Sequence, residues 1–352
     1  MRKIRLAFIG AGFMGQRAHL RNYAVLDDCE IVALAEARPL LAQKVARAFD
    51  IPGVYTDHME MLSTVRPDAV VASQPFANHI NLVPDVLASG AHLLTEKPLC
   101  ISPENGKKLA ALSHSKQLIH MVGYHKRSDP AIEHARSVIQ EWKSTGSHGK
   151  MRLIRITMPP GDWIGGYPKN IVTTEPSPTL SLEEGLPGYG KEISDAYVSF
   201  VNYYIHQINM LRHLLGEPYK VTFADKSGVL LVAESASGIC GTIEMAPYGT
   251  TVDWQEQILV GFEKGYISVK LPAPLMMQQA GQVTIFSDRH GTPTISQPIL
   301  NNVSAMQNQA SNFLRAVRGE IAPPCDAHEA LLDLESAVAY IKLMNHPGRT
   351  SD

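Results

Sequence analysis

The stretch that decides the fold is an apolar run that leads directly into three closely spaced glycines. It reads Ile4-Arg5-Leu6-Ala7-Phe8-Ile9-Gly10-Ala11-Gly12-Phe13-Met14-Gly15. The apolar run predicts a buried β-strand, and a helix is expected to begin at about Phe13. The glycines form a G-x-G-x-x-G pattern, which is weak alone but informative between a strand and a helix. This stretch therefore predicts a turn that binds the phosphates of a dinucleotide.

Each glycine in this turn has its own role. Gly10 allows the tight turn, Gly12 lets the backbone approach a pyrophosphate, and Gly15 permits close packing of the helix. Phe13 and Met14 begin that helix, whose free N–H groups point toward the phosphates. A strand, turn and helix without any ligand is the alternative interpretation of the same residues.

An acidic residue closes the second predicted strand. Glu36 lies 21 residues after Gly15, since 36 minus 15 is 21. An acid at about this spacing binds the ribose hydroxyls of NAD, and its charge repels the extra phosphate of NADP. Arg38 lies close by, and an arginine there can hold that phosphate. We therefore expect NAD as the cofactor, with NADP as the alternative.

Strands and helices alternate regularly through the first 125 residues. Apolar runs predict further strands at 31–35, 69–72, 92–95 and 118–122, and helical patterns lie at 40–49, 81–88 and 103–113. Such alternation is typical of a doubly wound parallel sheet with helices on both faces. The sequence predicts an α/β Rossmann domain over residues 1–125.

The pattern changes after residue 125. Helices are predicted at 130–142, 194–215, 305–318 and 328–344, and strands at 151–158, 220–224, 230–233, 239–245, 255–261, 265–270 and 282–286. We expect residues 126–352 to form a substrate-binding and oligomerisation α+β domain with an open, mostly antiparallel sheet. Its closing helices are able to pack back on the first domain.

The composition argues against nucleic acids, membranes and metals as partners. Of 352 residues, 45% are apolar and the formal net charge is −2, so the clustered basic charge of a nucleic-acid binder is missing. No stretch is apolar and long enough to span a bilayer. The cysteines are scattered and form no C-x-x-C pair, which predicts idle thiols in a cytoplasmic protein. They are Cys29, Cys100, Cys240 and Cys325.

Three further motifs follow predicted strands or lie on a predicted helix. Glu96-Lys97-Pro98 follows the fourth strand, and Ser73-Gln74-Pro75-Phe76-Ala77-Asn78-His79 follows the third. The helix at 194–215 contains His206-Gln207-Ile208-Asn209-Met210-Leu211-Arg212. With the glycine turn, their order and spacing resemble the glucose–fructose oxidoreductase/inositol dehydrogenase (Gfo/Idh/MocA) family over nearly the full length. The resemblance implies a nicotinamide-dependent oxidoreductase.

The resemblance also implies roles for individual residues. Lys97 contacts a substrate hydroxyl and the nicotinamide ribose. His206 is the general base, because imidazole can take a proton from an alcohol while hydride leaves the same carbon. A solvated loop lysine and a core histidine are the alternative interpretations. The other implied cofactor contacts are Ser73, Gln74, Pro75, His79, Glu96 and His125.

One position departs from the family pattern. The family usually has an aspartate one helical turn before the histidine, and this chain has Asn202. Asparagine can hydrogen-bond a substrate or orient a ring, but it carries no charge, so protonated His206 is less stabilised. Either His206 works with less help, or another group assists. The candidates for that group are Tyr203, Tyr204 and Asp195.

Residues 124–130 connect the two predicted domains and carry several polar side chains. The resemblance places this segment beside the nicotinamide, with Tyr124 among the catalytic residues. Lys126 and Arg127 are expected to recognise an anionic or polyhydroxyl substrate, since arginine binds such groups with two hydrogen bonds. Alternatively, Arg127 and Asp129 simply pair in a structural turn.

Residues 159–190 are rich in proline and glycine, and a loop of this length is usually functional or disordered. It contains Asp162-Trp163-Ile164-Gly165-Gly166. The Trp163 ring suits stacking on a sugar face, while the Asp162 carboxylate can hold hydroxyls. An exposed aromatic residue also suits a contact between subunits. We expect a homodimer or homotetramer.

Three functions fit these residues. The first is a sugar or cyclitol dehydrogenase, in which hydride passes between a ring carbinol and nicotinamide while Lys97 and His206 move the proton. The second is a glycoside hydrolase that oxidises C3 transiently, eliminates the aglycone, adds water and re-reduces the sugar. The third is a non-catalytic NAD-sensing protein.

Overall fold

The computed structural model describes residues 2–166, 170–289 and 291–345. The chain divides into two compact units, each built from separate stretches of sequence. The first unit contains Met1–Tyr124, Pro168–Ser194 and Gln309–Leu334. The second contains His125–Tyr167, Asp195–Asn308 and Glu335–Asp352. Within the described residues, every helix is too short or too polar to cross a bilayer.

The first unit is built on a six-stranded parallel sheet, as the alternating pattern predicts. Its strand order is β3-β2-β1-β4-β5-β6. The strands are β1 (Ile4–Ile9), β2 (Cys29–Ala35), β3 (Gly53–Tyr55), β4 (Ala69–Ala72), β5 (His92–Thr95) and β6 (His120–Val122). All four residues of β4 are buried, because a central parallel strand is covered on both faces. The predicted doubly wound sheet is confirmed.

Helices connect these strands. A π-helical segment (Gly15–Leu20) continues as α1 (Arg21–Tyr23), and it is followed by α2 (Pro39–Ala48), α3 (His58–Val65), α4 (His79–Ala88) and α5 (Pro103–Lys116). Proline in the first turn starts α2 and α5, and the Ser102 side chain caps α5 by accepting a hydrogen bond from the Asn105 amide. The sequence does not predict β3 or α3, because three strand residues and eight helical residues show little periodicity.

The second unit contains an eight-stranded mixed sheet. Its order is β14-β13-β12-β11-β7-β10-β9-β8. The strands are β7 (Met151–Thr157), β8 (Tyr219–Ala224), β9 (Leu230–Ser235), β10 (Cys240–Glu244), β11 (Glu256–Phe262), β12 (Gly265–Leu271), β13 (Gln282–Ser287) and β14 (Thr294–Ser296). The β7–β10 pair is parallel, and the other neighbours are antiparallel. The expectation of a mostly antiparallel sheet is confirmed.

Helix α6 (Pro130–Thr145) packs on β12 and β13 of this sheet. Along β7, Ile154 and Ile156 are wholly buried and alternate with exposed residues, so one face of the strand forms the core. The remaining helices are α7 (Lys191–Leu215), α8 (Ala305–Val317) and α9 (Ala327–Asn345). The sequence does not predict β14, whose three residues are all exposed.

The glycine turn after β1 depends on very close backbone contacts. Gly10 has a φ of +90°, and a Cβ atom there would lie 2.6 Å from the carbonyl oxygen of Ser73. A Cβ atom on Gly15 would lie 2.6 Å from the carbonyl oxygen of Gly10. Real Cβ atoms do not approach backbone oxygens so closely, and only glycine fits at either position.

We expect Gly10→Ala to destabilise the protein more than Gly90→Ala. Gly90 has a similar φ of +85°, but a Cβ atom there would have no neighbour within 4 Å. The control variant therefore carries only the cost of the left-handed backbone, about 1–2 kcal/mol. The clash at Gly10 adds roughly 1–3 kcal/mol. Equal urea midpoints for the two variants would contradict the close approach to Ser73.

Candidate active site

The first unit contains a cavity of about 390 Å³. It brings together residues from the glycine turn, the end of β2, the loop after β4 and a later segment. These include Gly10, Gly12, Glu36, Arg38, Ser73, Gln74, Pro75, Ser177, Pro178 and Leu180. Ligands of open parallel sheets bind at the carboxyl ends of the strands, where these residues lie. Seven of the predicted cofactor residues therefore line one cavity.

The lining of this cavity fits a dinucleotide. A Cβ atom on Gly12 would have its nearest neighbour, Nη2 of Arg38, 3.9 Å away. The backbone of Gly12 is therefore open toward the cavity, unlike the tightly packed backbones of Gly10 and Gly15. Open backbone at the start of a helix is what the phosphates of a dinucleotide require.

Glu36 is buried directly after β2, and its carboxylate accepts hydrogen bonds from the Ala11 amide and from the backbone and side chain of Arg38. Its Oε2 accepts a hydrogen bond from the Ala11 amide at 2.8 Å, and Arg38 donates from Nε to Oε1 at 2.7 Å and from Nη2 to Oε2 at 3.0 Å. Burial tends to raise the pKa of Glu36, but the hydrogen bonds from Arg38 and Ala11 outweigh burial and hold the pKa below its usual value. The carboxylate is therefore ionised at neutral pH.

The other predicted cofactor residues of the first unit lie in varied surroundings. Phe13 is 40% exposed, whereas His79 is wholly buried. Nδ1 of His79 lies 2.9 Å from the carbonyl oxygen of Leu99, and burial lowers the pKa of this imidazole. Met14 is partly exposed on the first helical turn. The structure thus shows a hydrogen bond between His79 and the backbone of Leu99. The predicted role of His79 toward the cofactor stays a prediction.

Glu96 and Lys97 follow β5 directly, and the peptide bond between Lys97 and Pro98 is cis. Glu96 is held from one side by His19, whose Nε2 lies 2.7 Å from its Oε1. On the other side, the Lys97 amide donates to Oε2 of Glu96 at 3.3 Å. His19 is buried on the π-helical segment, a rare conformation that often occurs at functional sites. The sequence pattern does not single out His19, although this histidine lies on the helix predicted to follow the glycine turn.

In the second unit, α7 presents the predicted base. The His206 ring packs edge to face against the His125 ring, with centroids 4.8 Å apart. Asn202 lies one turn earlier on α7 and is exposed. Tyr203 and Tyr204 are half-buried, and the Tyr204 hydroxyl donates to the carbonyl oxygen of Met245. The structure thus joins His125 and His206, and their roles stay predictions.

The polar residues after Tyr124 have separate partners. Nζ of Lys126 lies 2.7 Å from Oε1 of Glu256, which also accepts a hydrogen bond from Nε2 of Gln207 at 2.7 Å. Burial lowers the pKa of Lys126, and the Glu256 carboxylate opposes that shift. Nε of Arg127 donates to Oδ1 of Asn209 at 2.7 Å. The sequence does not reveal Glu256 and Gln207 as partners, because nothing in the chain connects Lys126 with a residue 130 positions away.

Asp129 has a structural role at the start of α6. Its Oδ1 accepts hydrogen bonds from the Ala131 amide at 2.8 Å and the Gly281 amide at 3.0 Å. Burial raises the pKa of Asp129 to about 6, despite these hydrogen bonds. The residue caps the helix and ties it to the loop before β13.

Asp162 and Trp163 also lie in the second unit. Oδ1 of Asp162 accepts from the amides of Ile164 and Gly165, so this carboxylate organises a turn. Trp163 is partly buried and packs on a cluster of Met158, Trp254 and Ala273. Tyr203 and Tyr204 pack on the same cluster. Tyr124, in the first unit, is buried with 3% of its surface exposed.

Comparison with known proteins identifies the class. The Gfo/Idh/MocA family model, described as an oxidoreductase family with an NAD-binding Rossmann fold, matches residues 4–124. The match covers the glycine turn and the motifs after the third and fourth predicted strands, so it confirms the resemblance for this part of the chain. The matched segment is thus an NAD-binding Rossmann domain of an oxidoreductase family.

Individual relatives cover more of the chain. An inositol 2-dehydrogenase from Rhizobium meliloti (strain 1021) is 25% identical over 95% of each chain. Glycosyl hydrolase family 109 protein 2 from Akkermansia muciniphila is 33% identical over 111 residues, 29% of this chain and 23% of the relative. A mutant 3-ketoreductase from Actinomadura kijaniata, solved with TDP-benzene and NADP, shares the fold with a TM-score of 0.68 and 16% identity over 96% of each chain.

The raised pKa of Asp129 predicts a pH-dependent stability difference between Asp129→Asn and the wild type. The pKa of Asp129 is about 6 in the folded chain, compared with an ordinary value of 3.8, so folding favours the protonated form. The wild type therefore loses stability as the pH rises from about 4 to about 6, and the loss is complete above the folded pKa. The variant has no such loss. Its free energy of unfolding, relative to that of the wild type, should therefore rise by about 3 kcal/mol between about pH 4 and pH 7.

Urea unfolding at several pH values measures this difference. Asp27→Asn, which removes an exposed carboxylate elsewhere in the chain, is the matched control. A difference for Asp129→Asn that stays constant between about pH 4 and pH 7 would show that Asp129 titrates normally.

Proposed function

We propose that this protein is a NAD-dependent oxidoreductase that moves hydride between nicotinamide and a ring hydroxyl carbon of a sugar, glycoside or cyclitol. The observation that carries the proposal is the cavity lined by the glycine turn and Glu36. An ionised acid at the end of β2 suits the two ribose hydroxyls of NAD. The similarity to an inositol 2-dehydrogenase over 95% of the chain supports a polyhydroxylated ring as the substrate.

The chain's own residues would handle the proton. A bound nicotinamide supplies the hydride acceptor. Lys97 would donate a hydrogen bond to the reacting hydroxyl and hold its oxygen as negative charge develops there. His206 would take the hydroxyl proton, and contact with the His125 ring limits the orientations of its imidazole. Asn202 can position the substrate by hydrogen bonds without contributing charge.

His19 is the residue we propose to position Lys97. It is buried, and it fixes the Glu96 carboxylate, which accepts a hydrogen bond from the Lys97 amide. A catalytic group must be held within a fraction of an ångström of its productive place, so a support of this kind affects rate. His19 would thus act through Glu96 rather than by touching the substrate.

A second candidate is a glycoside hydrolase that uses NAD without net oxidation. The similarity to a family 109 glycosyl hydrolase favours it. Removal of hydride from C3 would acidify the C2 hydrogen, and loss of that proton would expel the aglycone from C1. Water would then add at C1, and the hydride would return to C3. The same proton-handling residues would serve both reactions.

One experiment separates these candidates. The purified protein is incubated with NAD⁺ and a panel of free sugars, cyclitols and glycosides, and the products are analysed by mass spectrometry. A product two hydrogens lighter with equimolar NADH supports the dehydrogenase. Free aglycone without net NADH supports the hydrolase. No product from any compound, with NAD⁺ binding demonstrated, would contradict both and favour a NAD-sensing protein.

We expect Lys97→Met and His206→Asn each to reduce kcat by about 10²–10⁴-fold, the usual contribution of a proton-transfer group. If both residues serve one relay, the double variant should lose little more than the worse single variant. Lys116→Met, on the exposed surface of α5, is the control and should keep full activity. Losses that multiply in the double variant would show two independent roles.

For His19, the expected result is a loss in kcat on the order of tenfold to hundredfold in His19→Leu, with KM nearly unchanged. His19→Gln keeps an N–H group close to the place of Nε2 and should recover most of the rate. If the Leu and Gln variants reduce kcat equally while both stay folded, the contact with Glu96 does not position Lys97.

A further inference from the structure

Residues 170–183, here called the strap, line part of the cofactor cavity from a distant place in the sequence. Near one end, Asn170 donates from Nδ2 to the carbonyl oxygen of Phe13 at 3.1 Å. At the other end, the Glu183 carboxylate accepts hydrogen bonds from the amides of Ile101 and Ser102 at 2.7 and 2.9 Å. The middle of the strap supplies Ser177, Pro178 and Leu180 to the cavity wall. The strap is thus anchored on both sides of the residues that line the cavity.

Glu175 of the strap binds the N-terminus of α2. Its Oε1 accepts a hydrogen bond from the Leu40 amide at 3.0 Å, and its Oε2 accepts one from the Leu41 amide at 2.9 Å. The Thr173 hydroxyl donates to the same Oε2 at 2.8 Å. Helix α2 has no acidic residue in its own first turn and no side-chain cap at Arg38. A carboxylate 135 residues away in the sequence therefore serves the free amides of this helix.

The two groups that would bind an extra phosphate here are both engaged by carboxylates. Phosphates are held in proteins by arginine forks and by free amides at helix N-termini. The guanidinium nitrogens Nε and Nη2 of Arg38 lie 2.7 and 3.0 Å from the carboxylate oxygens of Glu36. The amides of Leu40 and Leu41 in the first turn of α2 contact Glu175. Glu36 raises the pKa of Arg38 through hydrogen bonds, and the charge of Glu175 adds to that effect. The positive charge of Arg38 thus interacts with the negative charges of both Glu36 and Glu175.

We propose that Glu175 is a cofactor-selectivity residue, whose carboxylate occupies the anion-binding N-terminus of α2 and excludes the 2′-phosphate of NADP from the cavity. The inference rests on the proposed function, because it takes the cavity as the dinucleotide site. Glu36 recognises the ribose hydroxyls, while Glu175 blocks the amides that a phosphate would need. The selectivity of this protein for NAD is therefore shared by two acids on separate segments.

The test is the equilibrium binding of NAD⁺ and NADP⁺ to the purified full-length protein, measured by calorimetry without substrate. The wild type should bind NAD⁺ at least about tenfold more tightly than NADP⁺. In Glu175→Ala, which frees two amides and removes a charge, the Kd for NADP⁺ should fall about tenfold, while the Kd for NAD⁺ stays within about twofold. Glu175→Gln keeps the shape of the side chain without its charge and should give a smaller gain in the same direction.

Two further variants test the cause. Glu184→Gln removes an exposed carboxylate from the same stretch of chain and should leave the ratio of the two Kd values unchanged. Glu183→Gln weakens the other anchor of the strap without changing charge near Arg38, and it should also leave the ratio unchanged. If Glu183→Gln relaxes selectivity as much as Glu175→Ala, the closure of the strap sets selectivity and the assignment to Glu175 is wrong.

The outcomes separate this inference from the proposed function. If the wild type binds neither dinucleotide, the cavity is not a cofactor site and the proposed function fails. If NAD⁺ binds but the ratio of Kd values is the same in the wild type and both Glu175 variants, the inference alone fails. Melting temperatures show whether each variant is folded, and if Glu175→Ala is not, Glu175→Gln decides.

Discussion

The cavity of the first unit depends on a backbone contact that leaves no room for a side chain. The turn after β1 approaches the loop after β4 so closely that a single carbon on Gly10 would lie 2.6 Å from the Ser73 oxygen. That approach places the Ala11 amide within 2.8 Å of Glu36, and Glu36 in turn holds Arg38. Strand β1, the glycine turn and Glu36 are therefore connected, and their arrangement depends on Gly10 having no side chain.

The parts of the fold that the sequence predicts correctly are the parts with local signals, and the predicted cofactor residues that line one cavity have local signals too. The glycine turn, the apolar run of β4 and the acid closing β2 each lie within a few residues of the feature that reveals them. Helix α7 is predicted because residues 194–215, most of its 25 residues, show a continuous helical pattern. Short elements such as β3 escape, because a short strand at the edge of a sheet carries almost no periodicity.

The features missed from the sequence are contacts between distant residues. Nothing in the chain connects Glu175 with the start of α2, or Lys126 with Glu256, until the backbone is folded. Basic residues near position 126 suggest substrate recognition, yet Lys126 is buried and bound to a carboxylate. A charged side chain is costly to bury alone and is usually paired, so its partner decides its role. The sequence shows the charge but not the partner.

The division of the first unit into three chain segments has a consequence for synthesis on the ribosome. Phe313 and Leu314 belong to the same buried cluster as Leu6 and Phe8, and the strap comes from residues after 169. Domains generally fold as units while the chain is still emerging. Here the nucleotide-binding unit lacks part of its core until residue 314 has left the ribosome, so this core is completed only after residues 195–308 of the second unit have been synthesised. The same arrangement means that a gene fragment ending at residue 124 would encode the glycine turn but neither Glu175 nor this part of the core.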